Sequence, residues 1–144
     1  MSIRFIYQAG DKLADRESIV TRVIEYLSHV VDLPQDIEIV FAMLAEHEYG
    51  NTPVNPRFKN RVNINHKLTT QELPQVLLHE LLHLSQIKTG KLSSTSNGQP
   101  IWNGNQYTVP KNAEYQYYQN LPWEQEVVSR QRKILPNLLT HLAC

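Results

Sequence analysis

One long apolar segment, residues 70–89, constrains the fold of this chain more than any other feature of its 144 residues. Thr69 and Glu72 match a capping box, and Pro74 is compatible with a helix only near its first turn. The pair Thr89-Gly90 provides a stop, so a helix is predicted over about residues 70–89. Apolar residues cover most of its circumference, which indicates packing on several sides: Val76, Leu77, Leu78, Leu81, Leu82, Leu84 and Ile87.

Three polar residues interrupt this apolar helix, namely His79, Glu80 and His83 of the motif HELLH. Residues four apart lie on one helical face, so both imidazoles can bind one zinc ion at about 2.0–2.1 Å. Glu80 projects beside that position, where its carboxylate can accept a proton from a water molecule that the metal activates. Two histidines and a glutamate facing an apolar core are costly unless they are paired, which favours a metal site over histidines that serve packing alone.

Hydrophobic periodicity predicts further strands and helices around this central helix. The predicted strands cover residues 3–7, 37–41 and 61–65, and the first of them is broken by Gly10-Asp11. The predicted helices outside residues 70–89 cover residues 15–31 and 122–143, with Pro122 at the first helical position. The whole chain, residues 1–144, is therefore expected to form one α+β domain.

Several breaks between these elements are also predicted. Residues 46–60 and 93–99 are expected to be loops, because they are rich in polar and turn-forming residues. Asn103-Gly104 lies between aromatic and β-branched residues and predicts a hairpin turn. Pro136 is expected to kink or divide the last helix, since proline removes a backbone donor there.

Composition narrows the classes of function. Acidic and basic residues balance at 14 each, and no basic cluster interleaved with aromatic residues occurs, so a nucleic-acid partner is not expected. Neither a signal-peptide pattern nor an apolar run long enough for a membrane span is found, so we expect a cytoplasmic protein with no membrane partner. The sole cysteine is Cys144, which leaves nitrogen and oxygen ligands for any metal.

A catalytic zinc site needs a third protein ligand and one open position. Glu124 and Glu126 are the candidates, because both lie near the start of the last predicted helix, where an inward carboxylate can approach the metal. The residues themselves leave both open.

The HELLH motif resembles that of the gluzincins, zinc metallopeptidases whose third ligand is a glutamate on a later helix. Pro122-x-Glu124-x-x-Val127 is similar to the Pro-x-Glu-x-x-Ala segment of small members, although Val127 replaces the usual small residue. The resemblance implies a zincin-like α+β fold, with a small mixed sheet packed on the active-site helix and a C-terminal helix that carries the glutamate. It also implies Zn²⁺ bound by His79, His83 and Glu124. The arrangement is similar to minimal zincins of phage genomes as well.

Peptide hydrolysis is the reaction that this resemblance implies, with Glu80 as general base and a protein or peptide as substrate. Residues 61–65 are expected to be an edge strand that an extended substrate can join, or an ordinary edge strand. Tyr115, Tyr117 and Tyr118 are candidates for oxyanion stabilisation, with simple packing as their alternative. The competing hypothesis for the whole chain is a zinc-stabilised binding or structural protein that has the fold and no peptidase activity.

Overall fold

The fold combines a mixed sheet with four α-helices, as seen in a computed structural model that describes residues 1–10 and 12–144. Asp11, part of the predicted break after the first strand, lies outside the described residues. The strands are β1 (Ser2–Tyr7), β2 (Asp36–Ala42), β3 (Gly50–Asn51), β4 (Arg61–Asn65), β5 (Leu92–Ser94), β6 (Pro100–Trp102) and β7 (Asn105–Gln106). The helices are α1 (Ala14–Leu27), α2 (Leu73–Lys88), α3 (Tyr115–Gln119) and α4 (Pro122–Ala143). A short 3-10 helix covers Pro56–Phe58.

The main sheet has the strand order β1-β2-β4-β3. Strands β1, β2 and β4 are parallel, and β3 pairs antiparallel with β4. Alternate residues of the parallel strands pack with α1, α2 and α4 into one apolar core. Residues of that core that are fully shielded from solvent include Ile24, Leu27, Ile39, Ile64, Leu77, Leu78, Leu81 and Leu82. The predicted α+β class and the small mixed sheet are thus confirmed.

Helix α2 runs through the middle of this core. The predicted reciprocal bonds of a capping box form, because the Glu72 amide donates to Thr69 Oγ1 (3.1 Å) and the Thr69 amide donates to Glu72 Oε1 (3.0 Å). They lie in the turn before the helix, which begins at Leu73 and not at residue 70. Burial continues to the far end of the helix, where Leu84, Ser85 and Gln86 are each almost inaccessible. The prediction of a helix packed on several sides is therefore confirmed.

A second, three-stranded sheet of order β5-β6-β7 follows α2. Its hairpin turn is the predicted Asn103-Gly104 pair, whose positive φ angles of 49° and 82° suit a type I′ turn. Trp102 packs with Leu92, Leu121 and Trp123 in a small apolar cluster of its own. This second sheet therefore supports the start of α4.

The prediction that residues 61–65 form an edge strand is wrong. β4 lies between β2 and β3, and the edge of the sheet is β3, which falls inside the predicted loop 46–60. A strand of two residues has no periodicity to detect, and Gly50 and Asn51 are residue types typical of turns. Gly50 is required by close packing, since a Cβ there would lie 2.9 Å from the carbonyl oxygen of Asn63.

Other element predictions also need correction. The first helix ends at Leu27 and not at Val31. Val31 is buried although it lies in the turn after the helix, so the apolar spacing in the sequence continues beyond the last helical residue. The predicted loop 93–99 begins inside β5, and α3 was not predicted. α4 is not divided: it continues through Pro136 to Ala143. Helix packing on the core stabilises α4 on both sides of this proline, through Val127 before it and Leu138 after it.

Among the helices described, none has the length and apolar character that crossing a bilayer requires.

Candidate metal centre

Side chains from two helices converge at one point beside the core. Nε2 of His83 lies 2.8 Å from Oε1 of Glu124, and Nε2 of His79 lies 3.3 Å from Oε2 of the same carboxylate. The two imidazole rings are 5.0 Å apart between centroids, as expected for neighbours one turn apart on α2. The structure thus brings together the three residues predicted as metal ligands.

The spacing of these groups fits a metal ion with nitrogen and oxygen ligands. Atoms bound at about 2.0–2.1 Å to a tetrahedral ion lie about 3.3 Å from one another, close to the separations found here. One ligand atom from each of the three residues lies within 4.8 Å of the other two. Two imidazoles and one carboxylate also form a donor set that suits zinc.

The start of α4 places Glu124 opposite the histidines. Pro122 occupies the first turn, where its missing amide hydrogen is not needed. Trp123 is held by aromatic neighbours, with its ring centroid 5.3 Å from that of Tyr107 and 6.3 Å from that of Trp102. Val127 lies one turn after Trp123 and is fully buried in the main core. These anchors on one face of α4 direct Glu124 toward α2.

Glu126, the alternative third ligand, lies in a different set of contacts. Its Oε1 accepts a hydrogen bond from Nε2 of Gln86 (3.1 Å), and its Oε2 lies 3.5 Å from Nζ of Lys91. A shift of two residues along a helix rotates a side chain by about 200°, which explains why two such close glutamates reach different partners. The geometry therefore favours Glu124.

Glu80 lies beside the histidines and is bonded to a residue outside α2. The hydroxyl of Thr52 lies 2.9 Å from Oε1 of Glu80 and 3.0 Å from its backbone carbonyl oxygen. A Cβ on Gly50 would lie 3.2 Å from Cγ of Glu80, so β3 packs directly on this side chain. Glu80 is only 7% exposed. Its carboxylate is thus held by the edge of the sheet.

The environment of the three ligand-type residues favours opposite charges on them. Burial opposes protonation of His79, but its hydrogen bond to Glu124 and the charge of Glu80 outweigh it and raise the pKa of His79 to about 9. The pKa of His83 is also raised, since contact with Glu124 outweighs burial. Burial likewise opposes ionisation of Glu124, yet bonds from both histidines lower the pKa of its carboxyl to about 2.

Glu80 differs, because burial dominates its ionisation. Desolvation raises the pKa of the Glu80 carboxyl, even though the histidines and the Thr52 hydroxyl act in the opposite direction. A carboxylate with a raised pKa is a better proton acceptor than an ordinary one near neutral pH. This environment suits a general base.

Sequence reasoning missed three residues that contact the centre: Thr52, Gln86 and Gln131. Oε1 of Gln86 lies 2.9 Å from Nδ1 of His83, and Oε1 of Gln131 lies 2.9 Å from Nδ1 of His79. Only Gln86 carried a signal, because it is a polar residue one turn after His83 in an otherwise apolar helix. Thr52 and Gln131 come from other elements and have no spacing that relates them to the motif.

The tyrosines considered for oxyanion stabilisation lie on the surface of α3. Tyr115 is 75% exposed, and Tyr117 and Tyr118 are about two-fifths exposed. The hydroxyl of Tyr117 donates to the carbonyl oxygen of Thr108 (3.3 Å). A role for these residues in catalysis stays a prediction.

The centre therefore combines three ligand-type groups with one separately held carboxylate. Within the described part of the chain, His79, His83 and Glu124 form the sole cluster of this kind. Such a set can hold a divalent cation next to a proton acceptor. Comparison of the chain with protein-family models, with curated proteins and with solved structures yields no match.

Proposed function

We propose that this chain is a zinc-dependent peptidase in which His79, His83 and Glu124 hold the metal. The observation that carries the proposal is the convergence of both Nε2 atoms on the Glu124 carboxylate, while Thr52 holds the carboxylate of Glu80 outside that cluster. Separate positions for ligand and base are what metal-assisted hydrolysis requires.

Glu80 acts as the general base in this proposal. When bound, zinc supplies a Lewis acid that polarises the substrate carbonyl and lowers the pKa of a water molecule. Glu80 accepts the proton from that water and then transfers it to the departing amine. Its burial supports the first step, because a raised pKa makes the carboxylate a better proton acceptor.

A zincin-like arrangement is part of the same proposal. The antiparallel edge strand β3 packs on Glu80 of α2, and the glutamate ligand comes from α4. We propose that an extended peptide substrate pairs with the free edge of β3, in place of the predicted strand 61–65. Its scissile bond would then lie over the HELLH face of α2.

Metal content per chain tests the proposal first. The protein is supplied with zinc, dialysed exhaustively and analysed for metals, together with His83→Ala and the control His47→Ala. We expect about one zinc per chain in the wild type, in line with a single three-ligand site, and loss of zinc in His83→Ala. His47 is exposed, so its variant should retain the metal.

Cleavage of a broad peptide library, with and without a chelator, tests the reaction itself. Hydrolysis that stops on chelation and returns with zinc is expected. Zinc binding without any cleavage would instead identify a zinc-stabilised binding or structural protein. A wild-type protein that takes up no zinc would contradict both functions.

A further inference from the structure

Each histidine of the HELLH motif has its second ring nitrogen bonded to a glutamine. Oε1 of Gln86 accepts from Nδ1 of His83, and Oε1 of Gln131 accepts from Nδ1 of His79, both over 2.9 Å. Gln86 comes from α2 itself, whereas Gln131 lies about two turns beyond Glu124 on α4. The two glutamines therefore approach the centre independently.

The orientation of the Gln86 amide is fixed by a backbone carbonyl. Its Nε2 donates to the carbonyl oxygen of Trp123 (3.0 Å), and a carbonyl oxygen can only accept. The amide nitrogen must therefore face Trp123, and the amide oxygen must face His83. Because that oxygen also only accepts, Nδ1 of His83 must carry a hydrogen for this contact to form, and a zinc ion between the ring and Glu124 would then take Nε2.

Gln131 is oriented in the same way from the opposite side. Its Nε2 donates to the carbonyl oxygen of Gln75 (3.4 Å), so its Oε1 is the atom that faces His79. Nδ1 of His79 must likewise carry a hydrogen for this contact to form. Two unrelated contacts thus favour, in both histidines, the tautomer that leaves Nε2 for a metal.

Gln86 has a second role, because it joins the two halves of the centre. The same amide nitrogen donates to Trp123, the residue before Glu124, and to Oε1 of Glu126 (3.1 Å). Gln86 is 2% exposed, and its amide hydrogens and oxygen all have partners in these contacts. One buried side chain therefore connects the ring of His83 to the turn of α4 that carries Glu124.

We propose that Gln86 and Gln131 are positioning residues that fix the histidine tautomers, and that Gln86 also sets the distance between His83 and Glu124. This inference rests on the proposed zinc site. A carboxylate at position 86 would still accept from His83. It would lose both donated hydrogen bonds and repel Glu126, so glutamine is the residue type that meets all three contacts.

Zinc affinity, measured by competition with a chromogenic chelator, tests this proposal. Gln86→Met removes all the contacts at similar volume, Gln86→Glu keeps only the acceptor, and Gln131→Met tests the second glutamine. Gln75→Met is the control, because the Gln75 side chain is exposed on the same helix. We expect about 10- to 100-fold weaker zinc binding in Gln86→Met and Gln131→Met, an intermediate loss in Gln86→Glu, and none in the control.

Long-range ¹H–¹⁵N NMR spectra provide a readout that does not depend on zinc, since they show which ring nitrogen carries the hydrogen. Recorded on metal-free protein, they should show an Nδ1–H signal protected from exchange with water in the wild type, and loss of that protection in the methionine variants, which cannot accept the hydrogen bond. Circular dichroism establishes that each variant is folded. If Gln86→Met does not fold, the less buried Gln131→Met carries the test.

Folded methionine variants with wild-type zinc affinity and unchanged Nδ1–H signals would overturn the positioning role. Absence of zinc binding in the wild type would contradict the proposed function instead. The tautomer spectra of the metal-free proteins would then decide the role of the glutamines.

Discussion

Glu80 and Glu124 lie close to the same two histidines, but in different regions of the molecule. Glu80 is buried against β3, where desolvation raises the pKa of its carboxyl. Glu124 lies at the start of α4, where bonds from the histidines lower the pKa of its carboxyl to about 2. The same side chain thus has opposite pKa shifts in two environments, since burial against the sheet favours the protonated carboxyl and contact with the histidines favours the carboxylate.

Replacement of Glu80 tests this comparison with the largest expected effect. Glu80→Gln should reduce peptide hydrolysis about 10³-fold or more, because the amide cannot accept a proton. Zinc content should stay at the wild-type level, since Glu80 is not a proposed ligand. Loss of zinc together with activity would break the distinction between base and ligand. Initial rates and elemental analysis on one preparation measure both quantities.

Replacement of Glu124 is expected to have the reverse pattern. A structural zinc site contributes roughly 10–16 kcal/mol through four ligands, so the loss of one ligand in Glu124→Ala should weaken zinc binding about 100-fold or more. Glu126→Ala is the matched control, because Glu126 contacts Gln86 and Lys91. Its zinc affinity should change only a few-fold. Equal losses in the two variants would contradict the assignment of Glu124, and chelator competition measures both.

In metal-free protein, Glu80→Gln and Glu124→Gln should change the free energy of unfolding in opposite directions. At pH 7, Glu80→Gln removes a buried charge and keeps an acceptor for Thr52, so it should raise the free energy of unfolding by about 1 kcal/mol. Glu124→Gln removes the partner of two histidines and should lower it by about as much. Thermal unfolding should show shifts of roughly 2–4 °C, with Glu25→Gln as an exposed control. Shifts of the same sign would contradict the comparison.

The pH dependence of stability in the metal-stripped protein tests the charges on His79 and Glu124 directly. The pKa of His79 is raised from 6.5 to about 9, so its contribution is complete below about pH 6.5 and is lost as the pH rises through about 9. The pKa of Glu124 is lowered from 4.5 to about 2, so its contribution is present above about pH 4.5 and is lost as the pH falls through about 2. The contribution of His79 and Glu124 to the free energy of unfolding, measured by urea unfolding, should therefore be greatest between about pH 4.5 and 6.5.

Glu124→Gln is the variant that checks this window. It should flatten the profile on both sides, because the neutral amide neither titrates nor raises the pKa of His79. A profile identical to that of the wild type would show that the pair does not determine the pH dependence.

Prediction from sequence was most successful where the relevant contacts are local. The Thr69–Glu72 bonds, the turn at Asn103-Gly104 and the alternating patterns of strands β1, β2 and β4 each depend on neighbours in the chain. Strand β3 was missed, because two residues give no periodic pattern and their strand geometry exists only through pairing with β4. Helix α4 continues through Pro136 because distant core residues pack on it, which a local rule for proline does not include.

The spacing of His79 and His83 was enough to place them on one face of a helix and Glu80 next to that face, since helical spacing is a property of neighbouring residues. The sequence left Glu124 and Glu126 as alternatives, because both belong to another helix whose rotation depends on packing. The tertiary structure distinguishes their positions, because burial of Trp123 and Val127 places Glu124 beside the histidines of α2, whereas Glu126 contacts Gln86 and Lys91. Thr52, Gln86 and Gln131 gained their partners in the same way, because hydrogen bonds between distant segments form only when the core fixes their separation.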